Sequence, residues 1–244
     1  MPGFEKANLT ERYDVESMSE DEWHSYTSDR TVQLLKETFH FHGTPPLCLN
    51  AGSGVYALRL NSWKEIPLDL FVKPVRRRHY AVCATVEALP FRVGSFGGVV
   101  CTGEVLAYCD PSAAIVEFAR VLAPMGTLLC DFGNSRSFRY WLKPPFGRAA
   151  DQVTDYYNGS PEKIWIYHPG YVESLLSSAG FSIQRKIGAH TWSALARRLG
   201  LSMACSVRLQ RAMEWFSLPT GWSDVLTIIA VRTSGCARVA AGGD

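Results

Sequence analysis

No C-x-x-C pair and no Cys/His grouping with metal-ligand spacing occurs in the 244 residues, which argues against a zinc site. Charge of one sign is scarce as well. Lys and Arg number 25 against 23 Asp and Glu, a formal net charge of +2, and the only basic run is Arg76–Arg78. Without a broad basic face, no nucleic-acid partner is expected. No apolar run reaches the roughly 18 residues of a membrane-spanning helix. The start, MPGFEKANLTERYD, is polar and lacks the apolar stretch of a signal peptide. The cysteines (48, 83, 101, 109, 130, 205, 236) are odd in number, and several lie inside apolar runs. There they act as small buried hydrophobes, and a reducing, cytoplasmic setting is expected.

What is present fits a globular chain: 47% hydrophobic and 20% charged residues, enough for one large α/β domain or two small ones. Residues 1–46 read as a polar arm and a helix from about Asp21 to Phe39, ended by Gly43 and the Pro45–Pro46 pair. Short apolar runs at Leu47–Leu49, Ile66–Phe71, Tyr80–Ala84, Val99–Thr102, Thr127–Phe132, Phe181–Ile187 and Val225–Arg232 predict about seven strands. Pro67 must sit at the first turn of its strand or on its outer side. Helices are expected at Ser112–Val121, after Pro111, and at Gly170–Ala179, before Gly180. A helical stretch from about 190 to 217 follows. Only 14 residues separate Gly54 from Asp69, and KPVRRRH gives one turn, so the first helices are shortened. Residues 133–168 form an aromatic-rich insertion, and 234–244 carry no periodicity and are expected to be disordered.

The densest signals are LCLNAGSG, EIPLDL, VEALPF…GSFGGVV, EVLAYCDP and ARVLAPMGTLLCDF, in that order between Leu47 and Asn134. A glycine turn after the first strand lets a ligand approach the backbone, and an acid ending the second can accept hydrogen bonds from ribose hydroxyls. This order resembles the class I S-adenosylmethionine (SAM) dependent methyltransferases, especially the small-molecule group that includes the ubiquinone/menaquinone-type enzymes. The resemblance covers roughly 47–187. It implies an α/β, Rossmann-like doubly wound sheet of strand order 3-2-1-4-5-7-6, mostly parallel with the last strand antiparallel. It also implies S-adenosyl-L-methionine as cofactor and a methyltransferase-like domain over 47–233.

By that resemblance Asn50, Ala51, Gly52, Ser53 and Gly54 form the glycine loop, with Asn50 where the first glycine is usual. Asn tolerates positive φ better than other side chains. Asp69 would bind ribose, with Leu70 beside the adenine; the plainer reading is a solvated acid at a strand end. Thr85, Val86 and Glu87 stand where an acid and a backbone N–H meet the adenine, and Thr102, Gly103 and Glu104 where the methionine ammonium is met. Tyr108 and His168 are the candidates beside the acceptor, against a packed core tyrosine and a helix-start histidine. Cys48, Gly97 and Met125 replace customary acids and a glycine, which implies weakened SAM binding. No N-P-P-Y or D-P-P-Y follows the fourth strand, which disfavours a nucleic-acid methyltransferase.

In a doubly wound fold, loops at the carboxyl ends of the strands line the crevice. The insertion is therefore expected to close over a small, largely apolar or aromatic acceptor with Tyr140, Trp141, Tyr157 and Trp165; a satellite core is the alternative. The 190–217 stretch serves as a second wall or a homodimer contact. The rival function is a methyltransferase-fold protein without methyl transfer, a binding partner or a cyclase using the same pocket.

Overall fold

The computed structural model describes residues 22–38, 47–53, 58, 63–71, 79–157, 160–216 and 218–233. Side-chain alternation builds the sheet. Leu49, Ala51, Val99, Cys101, Leu128, Cys130, Leu226, Ile228 and Ala230 fall in one apolar cluster, and Cys48, Val100, Leu129 and Ile229 in another. Neighbouring residues thus point to opposite faces, as the two-residue strand period demands.

The strands are β1 (Leu47–Ala51), β2 (Lys64–Asp69), β3 (Val82–Cys83), β4 (Phe96–Cys101), β5 (Leu122–Gly133), β6 (Ala150–Tyr157), β7 (Ser160–Tyr167), β8 (Phe181–Ala189) and β9 (Val225–Arg232). Seven of them form one sheet in the order β3-β2-β1-β4-β5-β9-β8, while β6 and β7 form a separate hairpin. β1 to β5 run parallel, and β9 lies antiparallel between β5 and β8. With the hairpin set aside, this is the expected order.

The helices are α1 (Glu22–Thr38), α2 (Pro111–Val121), α3 (Pro169–Ser178), α4 (Thr191–Arg198) and α5 (Met203–Ala212). α2 starts at Asp110, whose side chain accepts from the Ser112 N–H, with Pro111 in the first turn. Its Ala114, Ile115 and Phe118 join Val172 and Leu176 of α3 over the first face. Leu34 and Leu35 of α1 pack with Trp63 on the second face, and Trp23 and Tyr26 reach Ala189, Val207 and Val225. α1 therefore runs from the carboxyl edge of the sheet to its underside.

Three local expectations are refined. Asn50 lies within β1 and its amide donates to Glu65 Oε1 at 2.7 Å; the left-handed residue of the turn is Gly52, at φ 73°. Pro67 sits inside β2 and not in its first turn, so the other expected placement, on the outer side, is the one that fits. β3 pairs only with Leu68 and Asp69, so over Lys64–Pro67 β2 has a strand neighbour on one side alone among the described residues. The 190–217 stretch is two helices parted at Gly200, which takes φ 89°. The segments expected to hold shortened helices, 54–62 and 72–78, lie almost wholly outside the described residues, as do the arm and the tail.

Cys48, Cys101, Cys109 and Cys130 are buried, and desolvation raises their thiols, that of Cys109 to about 12. Cys83 and Cys205 are exposed.

Candidate functional site

The carboxyl ends of β1, β2 and β4 meet at one edge. Gly52 and Ser53 both donate their backbone N–H to Leu68 O, at 2.8 and 2.9 Å, which ties the glycine turn to the residue before Asp69. Asp69 is buried at the end of β2, and its Oδ1 accepts from the Phe71 N–H at 3.0 Å. A side chain at position 52 would collide with Val105, so glycine is required there by packing within the chain as well as by its φ. Ser53 Oγ is buried and has no hydrogen-bond partner among the described residues, a polar atom left over in the turn. Leu70 is 38% exposed beside Asp69. Gly54 lies outside the described residues.

Thr85, Val86 and Glu87 form the turn after β3. Glu87 binds it together: its N–H donates to Thr85 Oγ1, Thr85 Oγ1 donates to Glu87 Oε2, and Oε1 accepts from the Asp110 N–H at 2.8 Å. Glu87 thus anchors the start of α2 to this turn.

After β4, Gly103 and Glu104 both take left-handed φ, 83° and 58°. Asp131 of β5 explains how. Its Oδ2 accepts from Gly103 N–H at 3.1 Å and its Oδ1 from Glu104 N–H at 2.8 Å. Burial raises the Asp131 carboxyl to about 6, the two N–H groups acting against it.

This bend aims the Glu104 side chain at a cavity of about 30 Å³, lined by Trp23, Glu104, Gly133, Arg139, Tyr140, Asp155, Ile164, Ile166 and Asp224. Arg139 pairs with Asp155 and lies 3.5 Å from Asp224, which takes the Ser137 hydroxyl at 2.7 Å. Burial pushes Glu104 up to about 8, helped by the charges of Asp131, Asp224 and Asp155 and opposed by Arg139. Burial also raises Asp224 against the pull of Arg139. At Asp155 the Arg139 hydrogen bonds and charge outweigh burial and hold the carboxyl low.

The sequence-predicted residues thus divide. Ala51, Gly52, Ser53 and Asp69 come together; Glu104 faces the cavity, and Tyr140 lines it. Tyr108 instead donates its hydroxyl to Glu162 Oε2 of β7 at 3.1 Å, tying the hairpin down. His168 caps α3, its Nδ1 accepting from the Gly170 N–H at 3.1 Å. Trp141 is 43% exposed and packs edge-on against Trp222, and Trp165 packs against the main core. The Tyr157 side chain lies outside the described residues. Sequence reasoning missed Asp131, Arg139, Asp155 and Asp224. Asp131 alone left a trace, as an acid inside the apolar run TLLCDF.

Residues 47–130 match a family model described as a methyltransferase domain. No curated protein matches the chain. Among solved structures, a protein from Listeria monocytogenes described as an S-adenosylmethionine-dependent methyltransferase aligns over 84% of this chain and 99% of its own, with TM-score 0.62 and 11% identity. The 1,6-didemethyltoxoflavin-N1-methyltransferase of Burkholderia thailandensis, solved with its substrate and S-adenosylhomocysteine, aligns over 93% and 85%, with TM-score 0.55 and 13% identity. The [4+2]-cyclase SpnF aligns over 85% and 82%, with TM-score 0.55 and 18% identity. The sheet order is that of the methyltransferase fold these structures share, and residues 47–130 match a methyltransferase domain.

Proposed function

We propose that the protein is a SAM-dependent methyltransferase acting on a small, largely apolar or aromatic acceptor. One observation carries the reading: the glycine turn is hydrogen-bonded to the end of β2 beside buried Asp69, within the segment that matches the methyltransferase domain. The unpartnered Ser53 hydroxyl fits a polar ligand at that turn. A fold relative solved with S-adenosylhomocysteine supports the choice of cofactor.

Asp69 accepts hydrogen bonds from the ribose hydroxyls, Leu70 lies along the adenine, and the 85–87 turn meets its edge. The left-handed bend at Gly103 and Glu104, held by Asp131, presents backbone carbonyls to the methionine end. When bound, SAM supplies a methyl already activated on sulfonium. The chain's own task is then to position the nucleophile in line and to exclude water. The β6–β7 hairpin, with Tyr140, Trp141, Tyr157 and Trp165, acts as the lid over the acceptor, and α1 covers the same edge from the other side. Tyr108 and His168 serve the site by fixing the hairpin and α3.

Calorimetry with S-adenosylhomocysteine tests the reading. The wild type binds it, and Asp69→Ala weakens binding at least about tenfold, the loss of a charge-assisted hydrogen bond. An unmeasurable affinity in the wild type removes the cofactor and leaves a fold without its chemistry.

A further inference from the structure

The cavity on the β5–β9 side is built for a narrower task than covering an apolar acceptor. Its polar wall comprises three carboxyls, Glu104, Asp155 and Asp224, and one guanidinium, Arg139, with Asp131 behind Glu104. Arg139 is already committed to Asp155 and Asp224, and Asp224 also holds the Ser137 hydroxyl. Glu104 differs: it is half-buried and faces the cavity, and no described residue donates a hydrogen bond to its carboxyl. Its accepting capacity is therefore open to a ligand that enters the cavity.

The chemistry of the wall selects among ligands. A carboxylate or phosphate would meet three acids and an arginine already paired with two of them. A hydroxyl offers one donor and no charge. An amine or ammonium offers two or three N–H donors, and its positive charge answers the excess of carboxyls. A volume of about 30 Å³ suits such a head group and not an aromatic body. We propose that this cavity is the subsite for an amine-bearing end of the methyl acceptor, with Glu104 accepting a hydrogen bond from its nitrogen. The assignment rests on the methyltransferase reading for what the acceptor is, but the recognition is a property of the cavity itself.

Since burial raises Glu104 to about 8, it is mostly protonated at pH 7 in the free protein. The charges around it are Asp131, Asp224, Asp155 and Arg139. A cation placed among them lowers its pKa, so binding releases a proton.

Benzylamine, benzyl alcohol and benzoate share one ring and differ in the head group, and are titrated calorimetrically at pH 7, with and without saturating S-adenosylhomocysteine. Benzylamine is expected to bind at least tenfold tighter than the alcohol, and benzoate not at all. Repeating the amine titration in two buffers of different ionisation enthalpy should report about one proton released per molecule bound. Glu104→Gln, isosteric and neutral, should lower benzylamine affinity at least tenfold and abolish the proton release. Equal binding of amine and alcohol, or absence of proton release in the wild type, overturns the proposal without recourse to any variant. If Glu104→Gln weakens S-adenosylhomocysteine and not benzylamine, the cavity serves the ammonium of the cofactor, and the acceptor assignment falls. Failure of S-adenosylhomocysteine to bind the wild type would sink the methyltransferase reading while leaving the amine selectivity to be judged separately.

Discussion

Glu104 has the most testable electrostatics in the chain. Its folded value of about 8 stands above the usual carboxyl value of 4.5, so the folded state holds a proton that the unfolded chain releases between those limits. Its contribution to stability is complete below pH 4.5 and is lost as pH rises to about 8. Glu104→Gln should therefore flatten the fall of melting temperature between pH 5 and 8 and melt higher than the wild type at pH 8. An unchanged pH profile would show that the carboxyl ionises freely in the fold. Met125 offers a second case. It is 66% exposed and takes φ 63°, where an L side chain is strained. Met125→Gly should raise stability by about 0.5–1 kcal/mol in denaturant titration, the strain relieved exceeding the entropy that glycine adds to the unfolded chain. The resemblance had already marked this position as one where glycine is customary; its left-handed backbone is the reason.

At the scale of elements, the β6–β7 hairpin is held at its base by buried Tyr167, whose hydroxyl donates to Leu106 O at 3.0 Å, and along its side by the Tyr108–Glu162 hydrogen bond. Replacing residues 151–166 by a short glycine-serine loop should leave S-adenosylhomocysteine affinity within about threefold and abolish turnover, since it removes the lid and not the cofactor edge. Turnover that survives would refute the lid. Helix α3 gives a contrast: His168→Ala loses one cap and should cost about 1 kcal/mol of stability while kcat stays unchanged. The elements themselves were largely legible. β9 matches its expected span to the residue, and α1, α2 and α3 fall within one residue at each end, because apolar runs, Pro111 and Gly180 mark them locally. The hairpin was not legible as strands. Its sequence, ADQVTDYY and SPEKIWIY, shows little alternation, and its register is fixed by contacts with the 105–108 turn. The site divides in the same way. Asp69 and the glycine turn are close in sequence and were read from their spacing. The cavity gathers Glu104, Arg139, Asp155 and Asp224 from four separate segments, a juxtaposition that only the folded chain creates.

On the scale of the molecule, α1 joins regions that the sheet keeps apart. Trp23 lines the cavity and stacks on His190 with ring centroids 3.6 Å apart, while Leu34 and Leu35 close the underside of the sheet. Leu35 is fully buried there, and Leu35→Ala should destabilise the fold by about 2–5 kcal/mol in denaturant titration, a cavity cost that an ornamental helix would not incur. The four cysteines buried on the two faces of the sheet give the protein a built-in gauge of its own opening. A maleimide added to the native chain can reach Cys83 and Cys205 directly, whereas the thiols at 48, 101, 109 and 130 become accessible only when the sheet parts from its helices. The slow phase of such labelling would time the breathing of the whole core, and a bound nucleoside that clasps β1, β2 and β4 should lengthen it.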